Sequence, residues 1–130
     1  MTVLIGAPVA AVAADASLHE VSDILTAHGI GTVIVGDEDD PAGIVSERDI
    51  VSALADRRDP ATTRASDIAH TTLVWCDAAA TVAEVAEVMM DRYVRHVLVE
   101  QDGRLIGIVS ARDLLGVYAS AEEPLVEEVS

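Results

Sequence analysis

The chain has 130 residues, 51% of them apolar, which is enough for one domain or two small halves with a buried core and argues against intrinsic disorder. Aromatic residues are only 2%, and eight Arg, no Lys and 23 acidic residues leave a net charge of −15. That balance repels phosphate backbones and anionic lipids and supplies no stacking platform, so nucleic-acid and membrane-surface roles are excluded first. A single Cys76 allows neither an internal disulfide nor a multi-cysteine zinc site, and is compatible with a reducing compartment.

In chain order, Val3-Leu4-Ile5 and Pro8 to Ala14 have a superficial likeness to a secretion signal. They lack a basic start, and Gly6-Ala7-Pro8 breaks the apolar run, so the segment reads as folded chain of a cytoplasmic protein. Ser17-Leu18-His19-Glu20 is a capping box opening a helix, with Leu18, Val21, Ile24 and Leu25 on one face. A β-branched strand (32–35), the polar turn Gly36 to Pro41 and a second strand (42–45) follow, leading into a helix that starts at Ser46. The acidic run Asp37-Glu38-Asp39-Asp40 lacks calcium-loop spacing and reads as a solvated hairpin turn. Residues 56–64 are polar and broken by Pro60, as a linker would be.

The same order then returns. Thr81-Val82-Ala83-Glu84 is a second capping box, with Val82, Val85, Val88 and Met89 on its helix face. His96 to Val99 is a strand, Asp102-Gly103 a hairpin turn, Leu105 to Val109 the returning strand, and a helix opens at Ser110. Gly43-Ile-Val-Ser46-Glu-Arg48-Asp49 reappears 64 residues later as Gly107-Ile-Val-Ser110-Ala-Arg112-Asp113. At that offset about a quarter of positions 17–54 are identical to their partners, the mark of a tandem duplication. The expected division is a first repeat over 1–58, a second over 59–120 and an acidic tail over 121–130.

On physics alone the repeated motif has two readings. Ser46 and Ser110 sit where a strand turns into a helix and can cap it, while Asp49 and Asp113 complement the dipole of the first turn. Capping alone does not require Gly, Ser, Arg and Asp to recur together, which leaves ligand binding open beside it. His19, His28, His70 and His96 share no metal spacing, and no nucleophile–base pair, P-loop or dinucleotide fingerprint occurs. Trp75 and Tyr93 are expected as core or interface residues. His96 is balanced between phosphate contact and strand packing, and Arg48 and Arg112 between phosphate contact and surface pairing.

Gly, two apolar residues, Ser or Thr, two variable residues and Asp resembles the signature of CBS domains, which occur in pairs as Bateman modules. Ala65-Ser66-Asp67-Ile68 with Thr72 to Trp75, and Val94 to Val99, extend the resemblance over about residues 3–118. It implies an α/β (α+β) fold of tandem β-α-β-β-α repeats, with two sheets packed face to face and clefts at their junction. Such clefts often take AMP, ADP, ATP or S-adenosylmethionine. The resemblance would give Asp49 and Asp113 the ribose hydroxyls, and Ser46 and Ser110 phosphate or ribose oxygens. Arg95 and His96 would meet phosphate, while Val12 and Cys76 would lie near adenine. Ile34 and Leu98 stand where the family often has Pro, and Gly31-Thr32 stand where the second repeat has the basic pair Arg95-His96. No cofactor is required on this reading.

The leading expectation is a non-enzymatic, stand-alone regulatory module that binds an adenosine compound and signals to a protein partner. The alternative is a ligand-free dimerisation or interaction protein of stress-response type. A homodimer is expected, with Ala83, Ala86, Val88, Met89 and Met90 as its helix face. The Asp113 side is expected to bind a phosphorylated adenosine more tightly than the Asp49 side.

Overall fold

The computed structural model describes residues 9–115; the acidic segment 121–130 and the first strand-like residues 3–5 lie outside that range. The chain divides into two compact units between Leu73 and Val74. Each holds a three-stranded mixed sheet with helices, the α+β arrangement that the duplicated pattern predicts.

In the first unit, β1 (Ala11–Val12) runs parallel to β2 (Thr32–Asp37), which pairs antiparallel with β3 (Asp40–Ser46). Helix α1 (Leu18–His28) opens on the predicted capping box, with Ser17 Oγ accepting from the Glu20 N–H, and it closes on Gly29 at φ 61°. Leu18, Val21 and Leu25 are buried on its inner face, and Ile24 packs at the edge of the core. Both strands run longer than their apolar residues. Asp37 and Asp40 pair at the exposed end of the hairpin, where solvated acids cost the ladder little. Helix α2 (Glu47–Ala55) follows β3 directly.

The unit division falls later in the chain than the repeat boundary expected at 58/59. The residues after α2 fold back and bond to the first unit: Leu18 N–H donates to Thr63 O, and Ala65 N–H to Ala16 O. Short helix α3 (Ala65–Ile68) carries the fully buried Ala65 into that core. His70 then bridges β3, with reciprocal backbone bonds to Ile44 of 2.9 and 3.0 Å.

The second unit repeats the plan with β4 (Trp75–Asp77), α4 (Val82–Arg92), β5 (His96–Gln101) and β6 (Arg104–Ser110), followed by helical residues 111–115. Asp102 (φ 54°) and Gly103 (φ 77°) are both left-handed, as a two-residue type I′ hairpin requires. Val85, Val97, Val99 and Val109 form the centre of the core.

Two expectations need correction here. The helix face assigned to pairing is largely used inside the unit: Met89 is 7% exposed, and Ala86 and Val88 pack on its core. A helical period identifies an apolar face but not what covers it, and α4 needs that face for its own sheet. Ala83 and Met90 remain exposed. Of the core or interface places expected for Trp75 and Tyr93, the core is ruled out: both are exposed, Tyr93 at 94%.

Tyr93 ends α4 at φ 54°, in the position that Gly29 takes in the first repeat. A non-glycine residue pays about 1 kcal/mol or more there, and Tyr93 recovers none of it by burial. Tyr93→Gly is expected to raise stability by about 1 kcal/mol in chemical denaturation; an unchanged or lower midpoint would refute this.

Candidate functional site

Each repeat places its signature at the junction of the returning strand and the following helix. In the first, Ser46 Oγ accepts from the Asp49 N–H at 3.3 Å, while the Ser46 N–H donates to Asp49 Oδ2 at 2.8 Å. In the second, Ser110 Oγ accepts from the Asp113 N–H at 3.0 Å, and the Ser110 N–H donates to Asp113 Oδ2 at 2.9 Å. Both pairs are therefore complete capping boxes, with Asp in the place of the more common Glu. The capping reading of the motif is realised, and it consumes one oxygen of each carboxylate.

What remains of each carboxylate differs. Asp49 Oδ1 lies 2.7 Å from His70 Nε2, with the Asp49 side chain 16% exposed and the imidazole 64% exposed. Asp113 Oδ1 has no bonded partner among the described residues. The His70 contact was not foreseen. It depends on residues 59–73 folding back onto β3, and a backbone bridge leaves no side-chain pattern to read.

The residue before each central strand is tied to the start of the following helix. Glu47 N–H donates to Gly31 O at 2.9 Å, and Ala111 N–H donates to Arg95 O at 2.8 Å. Thr32 then pairs with Ser46, and His96 with Ser110. Arg95 and Arg112 are exposed and His96 is half-buried, so the second repeat gathers Arg95, His96, Ser110, Arg112 and Asp113 around one strand–helix junction. In the first repeat the corresponding group contains Gly31, Thr32, Ser46, Arg48 and Asp49.

Val12 and Cys76 stand apart from these groups. They occupy the same register, opposite Val35 and Val99 on the first strand of each unit. Val12 is 6% exposed within the core, so its side chain is committed to packing, whereas Cys76 is only partly buried. Burial, reinforced by the nearby charges of Asp77 and Glu100, pushes the Cys76 thiol above its ordinary range. Less thiolate is then present near neutrality, and alkylation of Cys76 is expected to be slower at pH 8 than that of an unstructured cysteine peptide. Equal rates would contradict that environment.

No group of three His, Cys, Asp or Glu side chains able to hold a metal ion occurs among the described residues. No described helix is long and apolar enough to cross a membrane.

The CBS domain family matches residues 4–56 and 65–120. Hypoxic response protein 1 of Mycobacterium tuberculosis is 34% identical over 113 residues, covering 85% of this chain and 79% of that protein. A Methanopyrus kandleri protein is 33% identical over 113 residues, and the chain spans 58% of its length. Among solved structures, a CBS domain protein from Pyrobaculum aerophilum complexed with AMP is 32% identical, with a TM-score of 0.68 over 82% of this chain and 83% of that one. A CBS domain pair in complex with 5′-methylthioadenosine and S-adenosyl-L-methionine is 25% identical, with a TM-score of 0.75 over 90% of this chain and 99% of that one.

Proposed function

The chain belongs to the CBS domain family, and from that premise we propose that it is a regulatory, non-catalytic module binding an adenosine compound at its signature carboxylates. The observation that carries the reading is the state of Asp113. One oxygen is held by the cap, and the other has no partner among the described residues, at a junction that also presents Arg95 and Arg112. A fixed carboxylate with a spare acceptor suits a ribose diol, and guanidinium groups suit phosphate. Relatives solved with AMP and with adenosyl ligands support the same class of compound, with AMP, ADP, ATP and S-adenosylmethionine as candidates.

The Asp113 repeat is the tighter phosphate-binding one on this reading, because only it pairs a basic residue before its central strand with an uncommitted carboxylate oxygen. The module pairs as a homodimer. Val51 on α2 and Leu115 at 111–115, equivalent positions in the two repeats, are both exposed apolar residues, and each offers its own unit a contact in place of the α4 face.

The second reading, a ligand-free interaction protein, is favoured by the first repeat, where cap and His70 together engage both oxygens of Asp49. Thermal melts with a panel of adenosine compounds separate the two. A compound at a hundred times its Kd adds about 2.7 kcal/mol, which corresponds to roughly 3 to 6 °C at this size. No shift with any of them at millimolar concentration would leave the interaction protein.

A further inference from the structure

The two signature junctions share Ser, Arg and Asp but carry opposite charge beside them. Gly31 and Arg95 occupy equivalent places, each with its carbonyl bound to the first N–H of the following helix. In the first repeat that N–H belongs to Glu47, and in the second to Ala111. A Cβ built on Gly31 would lie 2.9 Å from Glu47 Oε1. The Glu47 carboxylate therefore stands where a side chain at position 31 would begin, and the missing arginine is replaced in space by an acid. The exchange of Arg95 and Ala111 for Gly31 and Glu47 turns a local charge of +1 into −1.

We propose that the repeats select adenosine compounds by charge: the Asp113 repeat takes a phosphorylated one, and the Asp49 repeat takes one without phosphate, neutral or cationic. This rests on the adenosine-binding reading above and adds the ligand class of the first repeat, with Glu47 as its specificity-determining residue. A carboxylate within a few ångströms of an incoming phosphate disfavours it electrostatically, whereas an uncharged ribose diol can take the place of the exposed His70 imidazole at Asp49 Oδ1, and an adenosyl sulfonium would be attracted. Removing the charge is expected to change phosphate affinity by roughly tenfold, the scale of one partly exposed charge pair.

The test uses the full chain with adenosine and AMP as probes, read by calorimetry and by amide shifts of the two signatures. Adenosine should move the Ser46 and Asp49 amides, and AMP should move those of Ser110 and Asp113. Glu47 is exposed, so Glu47→Gln should keep the fold, verified by melting, and strengthen AMP at the Asp49 repeat about tenfold, adding a second AMP site per chain. The inference is overturned if AMP engages the Asp49 repeat of the unsubstituted protein as tightly as adenosine does. It is also overturned if both probes act only at Ser110 and Asp113, or if Glu47→Gln leaves the AMP-to-adenosine ratio unchanged. No response to either probe at either signature refutes the adenosine-binding reading itself.

Discussion

Asp113→Ala is expected to weaken AMP binding roughly a hundredfold, while Asp49→Ala leaves most of the tight binding intact. Hydrogen bonds to a charged group are worth about 1.5 to 3 kcal/mol, and each 1.4 kcal/mol is tenfold in affinity. Of the two signature carboxylates, Asp113 is the one with an acceptor oxygen that has no partner among the described residues. Stability should follow the opposite order. Asp49 supports both a cap and His70, so its removal should cost about 1 to 2 kcal/mol, more than Asp113→Ala, which loses the cap alone. Asp113→Asn separates the two roles: its amide oxygen preserves the cap acceptor, but the lost charge should still remove most of the AMP affinity. Calorimetry that finds two equivalent AMP sites per chain, or a greater loss from Asp49→Ala, would refute the asymmetry.

Gly43→Ala is expected to destabilise the first unit by about 2 kcal/mol, within the range for overpacking a close contact. The added Cβ would lie 2.9 Å from the His70 carbonyl oxygen and 3.1 Å from the Ala69 Cβ. Backbone cannot yield as a side-chain end can, so the bridge between His70 and Ile44 must open. The measurement is a melt combined with amide hydrogen exchange: the midpoint should fall by several degrees, and the Ile44 and His70 amides should exchange faster. A midpoint unchanged within about a degree would show that the segment shifts at no cost. This also supplies the physical reason for glycine at the head of the first signature, which is an approaching chain segment at 69–70.

Those residues mark the limit of what the sequence reveals. The capping boxes at Ser17 and Thr81 and the cap at Ser46 are local, their partners three residues away, and so could be read directly. The Asp102-Gly103 turn was legible for the same reason, since its chemistry lies in two adjacent residues. The hairpin ends at Asp37 and Asp40 were less so, because strand pairing continued past the apolar residues that mark a strand. Residues 59–73 precede the second repeat's first strand in the chain, and their backbone hydrogen bonds to the first unit leave no mark in the side-chain pattern. With them goes His70, and with His70 the difference between Asp49 and Asp113. The contrast between Arg95 and Gly31 was visible in the aligned repeats, but the placement of Glu47 over Gly31 needed the strand–helix geometry.

The most direct test of the central claim is an amide-shift titration of the isotope-labelled full chain with AMP. Binding at the signature carboxylate predicts saturable shifts at Ser110, Asp113 and Arg95, with smaller ones at Ser46 and Asp49. The absence of saturable shifts at Ser110 and Asp113 up to millimolar AMP, with the protein folded throughout, would contradict it.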